Sequence, residues 1–128
     1  EWLPYGSLSR EDCVMVGHIA TPEITGDMTP ASMSSEIVTG ILRQQLGFEG
    51  VVITDALAMG AITEEYTSAD AAVNAIAAGC DILLCPYDFC EAFEAVTDAV
   101  SNGTISEERI NESVYRILLL KQTYGLLN

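Results

Sequence analysis

The chain is poor in positive charge. Its 128 residues carry Arg10, Arg43, Arg109, Arg116 and Lys121 against 19 acids, a net charge of −14. The five bases are scattered, so no basic patch can track a phosphate backbone or an anionic membrane, and nucleic acid and membrane surfaces are excluded as partners. The excess acid is expected to be solvated surface. No apolar run approaches the ~18 residues of a membrane span. The opening EWLPYGSLSRED lacks an initiator Met, a basic n-region and an apolar h-region, so it reads as the inside of a longer protein rather than a signal peptide. Zinc-type cysteine spacing is absent, and His18 is the only histidine. Cys13, Cys80, Cys85 and Cys90 are expected to be small buried thiols, with a Cys85–Cys90 disulfide or a metal site as lesser alternatives. No metal and no cofactor is expected. Reduced thiols point to a cytoplasmic protein, a secreted parent being the alternative.

What the sequence does have is a core and a rhythm. With 49% apolar residues it can pack one domain. Three apolar runs, CVMVGHI (13–19), GVVITD (50–55) and DILLCP (81–86), read as strands buried on both faces of a parallel sheet. Between them lie helical stripes. Ile37, Val38, Ile41, Leu42 and Leu46 mark a helix over 34–46 that Gly47 ends. An Ala-rich helix over 68–78 faces Val73 and Ile76 inward, and Gly79 closes it. Asp88 caps a third helix with Phe89, Phe93, Val96 and Val100 inward, ending at Asn102-Gly103. Ser106 caps a fourth, with Ile110, Val114, Ile117 and Leu118 inward. A short helix before the first strand is also expected.

The order β-α-β-α-β-α-α predicts an α/β fold of parallel strands alternating with helices. It suits either a small three-layer sheet or about three βα units of a (β/α)8 barrel, roughly three-eighths of such a barrel. In both, the C-terminal strand ends share one rim where ligands bind. His18, Asp55 and Cys85 are the strand-end residues that would meet there.

Asp55 admits three readings. An acid after a strand commonly caps a turn. A receiver-like phosphate acceptor would need an acidic pair after the first strand and a Lys after the last. Here Glu11 and Asp12 precede the first strand, and Lys121 lies deep in the terminal helix, so that reading fails.

The third reading comes from ILRQQLGFEGVVITDALAMGAI. Ile41, Leu42, Arg43, Gln45, Gly50, Val51, Val52, Ile53, Thr54 and Asp55 fill the signature of glycoside hydrolase family 3 without a gap. WLPYGSL, VMVGHIATPEITGDMTPASMS and AAVNAIAAGCDILLCP resemble its flanks, so the likeness covers nearly all of residues 1–128, as the C-terminal part of a catalytic barrel. Ala56-Leu57-Ala58-Met59 is similar to the β-N-acetylhexosaminidase branch, where the glucosidase branch has Trp.

The resemblance implies a substrate with terminal N-acetylglucosamine, such as a peptidoglycan fragment. It implies Asp55 as the nucleophile of a retaining mechanism, forming a covalent glycosyl-enzyme. His18 either contacts a sugar hydroxyl or bonds the neighbouring loop, and Met59 forms the wall of the sugar site or part of the core. Arg43 is expected to pair with an acid such as Glu49.

In the hexosaminidase branch a His on a loop several strands earlier donates the proton, and no such motif occurs here. The isolated chain is therefore expected to lack turnover. Its open strand edges predict self-association. A non-catalytic binding fragment, a β-glucosidase, a glycoside phosphorylase and a transglycosylase are the alternatives.

Overall fold

The computed structural model describes residues 7–127. Its centre is a three-stranded parallel sheet of β1 (Cys13–Val16), β2 (Val51–Ala56) and β3 (Ile82–Leu84), in the order β1-β2-β3. Cys13 pairs with Val51 and Val16 with Thr54, while Ile53 pairs with Ile82 and Ala56 with Leu84. Only the central strand is buried as predicted, with Val51, Val52 and Thr54 closed to solvent. β1 is an edge, and its Cys13 and Met15 are exposed. The outer strands are also shorter than their apolar runs: β1 ends at Val16, and β3 ends at Leu84, just before Cys85, whose φ is +43°.

Helices connect the strands: α1 (Pro22–Thr25), α2 (Gly60–Thr63), α3 (Ser68–Ala78), α4 (Phe89–Ser101) and α5 (Glu107–Thr123). The helix expected over 34–46 is a π-helix, Glu36–Gln45, preceded by a 3-10 turn at Ala31–Met33. Thr67, Asp88 and Ser106 cap α3, α4 and α5 through their side chains. Ser7 is 3-10 helical, where a short helix before the first strand is expected, and residues 9–12 form a hydrogen-bonded turn that leads into β1. The Trp2–Gly6 part of the first motif lies outside the described residues. No helix of the described residues is long and apolar enough to cross a membrane.

The core gathers Val38, Leu42, Phe48, Val52, Leu57, Ile62 and the alanines of α3. Small residues let α3 approach closely, and two glycines take that closeness further. A Cβ at Gly79, whose φ is +120°, would meet Thr39 Oγ1 at 2.7 Å. One at Gly50 would meet the Asp12 carbonyl at 2.5 Å. The Gly50 contact explains why glycine stands before β2.

The inward faces of α4 and α5 differ from their apolar stripes. Phe89 and Phe93 face outward, stacked at 6.1 Å, and α4 buries Ala92 and Ala99 instead. Val114 and Leu118 are also exposed, while Ser113 is buried with Arg109 and Arg116 beside it. Small side chains allow α4 to sit close. A buried acid, described below, turns the polar stripe of α5 inward.

Candidate functional site

β2 ends in an irregularity that aims its acid. Between its paired positions Ile53 and Ala56 it has two residues, Thr54 and Asp55, where β3 has only Leu83. This is a β-bulge, a device that redirects a side chain at a sheet end. A bulge interrupts the ladder, and Thr54 repairs it: its buried Oγ1 accepts a hydrogen bond from Leu84 N–H at 3.0 Å. Thr54 thus points into the packing and Asp55 into the half-open rim. One carboxylate oxygen of Asp55 accepts from Ala56 N–H at 2.7 Å, and the other has no partner among the described residues.

Ala56 also ties the other sequence-predicted residues to the acid, through its carbonyl in the next peptide. His18 Nε2 lies 3.1 Å from the Ala56 carbonyl oxygen. A carbonyl can only accept, so the ring proton sits on Nε2. In the neutral ring His18 Nδ1 then accepts from the Ser32 hydroxyl at 2.8 Å. Met59 N–H also donates to the Ala56 carbonyl, at 3.1 Å, and its side chain is 45% exposed. His18, Asp55 and Met59 therefore converge on the backbone of one residue, Ala56, through the two peptides that flank it, with both nitrogens of His18 engaged by protein atoms. Cys85 follows β3 on the same rim and is exposed.

Ser32 was not among the sequence candidates. It is fully buried and lies in the P-A-S-M run, where a small hydroxyl among apolar residues was the available signal.

The opposite end of the sheet holds a second acid, also missed. Asp81 precedes β3, and its carboxylate is fully buried. Arg43 contacts it at 2.6 Å, Arg116 at 3.0 Å and Arg109 at 3.6 Å. Ser113 Oγ donates to it at 2.7 Å and Val52 N–H at 3.0 Å. Arg43 therefore does not pair with Glu49. It also donates to the carbonyls of Phe48, Gly50 and Gly79. Burial pulls the Arg43 pKa down, and the Asp81 charge opposes that shift.

Of the four cysteines, all free thiols, only Cys80 is buried, and burial pushes its pKa up to about 12. The expectation of four buried thiols fails because Cys13 lies on the edge strand, and Cys85 and Cys90 lie where the chain leaves β3. Among the described residues, no three His, Cys, Asp or Glu side chains could hold a metal ion.

Known proteins are similar to this chain in sequence and in fold. The profile of the glycosyl hydrolase family 3 N terminal domain matches residues 3–120. A β-N-acetylglucosaminidase/β-glucosidase of Cellulomonas fimi is 34% identical over 122 residues, covering 88% of this chain and 22% of the relative. A glycoside hydrolase family 3 β-N-acetylglucosaminidase from Paenibacillus sp. str. FPU-7 superposes with a TM-score of 0.85 at 42% identity, over 90% of this chain and 22% of that one. The β-glucoside phosphorylase BglX gives a TM-score of 0.83 at 31% identity, over 90% and 22%. The chain thus spans about a fifth of the length of these proteins. Its sheet is an arc of about three βα units of a (β/α)8 barrel.

Proposed function

The chain belongs to glycosyl hydrolase family 3, and from that premise we propose that it carries the nucleophile half of a retaining glycosidase acting on terminal N-acetylglucosamine. The observation that carries this reading is the Asp55 carboxylate on the bulged end of β2, with one oxygen held by Ala56 N–H and the other free. A carboxylate fixed on a strand end is mounted for in-line attack. Its free oxygen bonds to the anomeric carbon as the bond to the leaving oxygen breaks, and that oxygen takes a proton from an acid. Water then attacks the same carbon, giving a proton to the base that the acid has become, and releases Asp55 as a carboxylate.

Met59 and the ring of His18 border the sugar. His18 contributes chiefly by holding the carbonyl of Ala56, the residue whose N–H orients Asp55. The proton donor belongs to parts of the barrel beyond this chain, so residues 1–128 alone have the nucleophile without the acid. They also present unpaired β1 and β3 edges with exposed Met15, Phe89 and Phe93, which favours self-association. Three exposed thiols fit a reducing, cytoplasmic compartment. Peptidoglycan fragments would be a natural source of such sugars.

Likeness to a β-glucoside phosphorylase supports a second reading, in which phosphate replaces water as the acceptor and Asp55 keeps its role.

A 5-fluoro-N-acetylglucosaminyl fluoride separates nucleophile from acid, because fluoride leaves without a proton donor. Intact-mass analysis of the 128-residue chain should show one glycosyl adduct on Asp55, absent in Asp55→Ala. An adduct on another residue, or none, would overturn the nucleophile assignment. The p-nitrophenyl N-acetylglucosaminide should not be turned over, and measurable turnover would refute the missing-acid reading.

A further inference from the structure

The loops after β2 and β3 enclose a second concavity on the rim, of about 420 Å³. Thr63, Tyr66, Thr67, Ser68, Tyr87 and Glu91 line it. None of them belongs to the group around Asp55. Its walls are fixed: Asp88, the cap of α4, donates its N–H to Ser68 Oγ at the start of α3 at 2.9 Å. Tyr66 is half-buried with its ring packed against the core, and so forms a firm wall. Tyr87 does the opposite. It is 77% exposed, and among the described residues its ring has neither a stacking nor a hydrogen-bonding partner.

The lining selects the class of ligand. It contains hydroxyls and a carboxylate but no base, on a chain of net charge −14, so anions are repelled. Aromatic faces beside hydroxyls and a carboxylate suit a neutral ligand with one C–H-rich face and several O–H donors, which describes a pyranose ring. The position also fits. Tyr87 lies three residues beyond Leu84, at most about 11 Å along the chain, and Leu84 pairs with Ala56 in the sheet. Thr63 follows Met59 by one helical turn, its N–H on the Met59 carbonyl at 3.1 Å.

We propose that this cleft is a saccharide subsite that takes neutral sugar units extending beyond the ring held at Asp55. It rests on the glycosidase reading of Asp55 for the identity of its ligand, and on its own lining for the binding.

The test is saturation-transfer NMR on the 128-residue chain with N,N′-diacetylchitobiose, together with the ring signals of the tyrosines. Tyr87 is exposed, so its replacement should leave the fold intact. Tyr87→Ala should raise the Kd about tenfold, the worth of one aromatic face, and Tyr87→Phe should stay within about twofold of the parent. Asp55→Asn should leave the shifts of the Tyr66 and Tyr87 rings unchanged. Equal binding by Tyr87→Ala and the parent would overturn the subsite, as would loss on Tyr87→Phe equal to that on Tyr87→Ala. If the amides around Asp55 shift while both rings stay unmoved, the subsite falls and the nucleophile reading stands. If the rings respond but no Asp55 adduct forms with the fluoro sugar, the subsite stands and the nucleophile reading falls.

Discussion

At the C-terminal rim of the sheet, Asp55 accepts one hydrogen bond, from the peptide that follows it, and keeps one oxygen free. At the other end, Asp81 accepts from Arg43, Arg116, Ser113 and Val52 N–H, with Arg109 3.6 Å away. The same side chain thus serves two ends in opposite ways. A fully buried carboxylate must be neutralised and hydrogen-bonded, or its desolvation would unfold the chain. A carboxylate that attacks carbon must keep lone pairs uncommitted. With Asp55 as the proposed nucleophile, the division follows that of (β/α)8 barrels, which carry chemistry on the C-terminal face and stability on the N-terminal face. Three of the chain's five bases are spent on Asp81, which leaves the remaining surface more acidic still.

The largest expected effect is at Asp81. Asp81→Asn would leave three guanidinium groups facing one another in a largely buried site, at a cost of about 3–5 kcal/mol. That is much of the stability of an ordinary domain, about 5–15 kcal/mol. Urea unfolding should show the midpoint of this variant at a markedly lower denaturant concentration than the parent's. Asp55→Asn should change stability by no more than about 0.5 kcal/mol, as surface changes do, and should abolish the fluoro-sugar adduct. Equal destabilisation by the two substitutions would erase the contrast between the ends.

A smaller effect is expected where the rim is built. Thr54→Val keeps shape and burial but removes the acceptor for Leu84 N–H at the bulge. Leaving that donor unpaired should cost about 1–3 kcal/mol. Because the bulge aims Asp55, adduct formation should slow in Thr54→Val by more than its stability loss explains, and recover in Thr54→Ser. A Thr54→Val chain that reacts at the parent rate would confine Thr54 to a packing role.

The rim was largely legible in the sequence and the opposite end was not, for a physical reason. GVVITD is a local pattern: one buried strand, one glycine with no room for a side chain, and one acid at the end. Asp81 was read only as the first letter of an apolar run, because its partners lie 38, 28 and 35 positions away at Arg43, Arg109 and Arg116. Lacking that acid, Arg43 was matched to a nearby glutamate, and α5 was turned by its Val and Leu rather than by Arg109, Ser113 and Arg116. Those three lie on one face at spacings of four and three, a pattern that could have signalled a buried acid. Ser32 was hidden likewise, since its bond to His18 spans 14 residues that no periodicity relates.

The finest test uses a residue tied to both ends. Cys80 donates its thiol to the Ser32 carbonyl at 3.4 Å, and its own carbonyl accepts from Arg109 at 2.8 Å. Burial, and then the Asp81 charge, raise its pKa to about 12, so almost no thiolate exists at pH 8 and labelling requires the structure to open. Cys85 and Cys90 are exposed and should react at once, as reporters that need no opening. Arg109→Met cuts the tie to the Asp81 end and should speed Cys80 labelling about fivefold, the worth of one hydrogen bond. Ser32→Ala removes the hydroxyl at His18 but keeps the carbonyl that receives the thiol, so its effect on Cys80 should be smaller. The pH dependence has a definite sign. A thiol whose folded pKa exceeds its unfolded value of 9.0 stabilises the fold fully below pH 9, and that contribution is lost as pH rises toward about 12. If both variants accelerate labelling equally, the two ends open as one cooperative unit, and the division between them would hold for their chemistry but not for their stability.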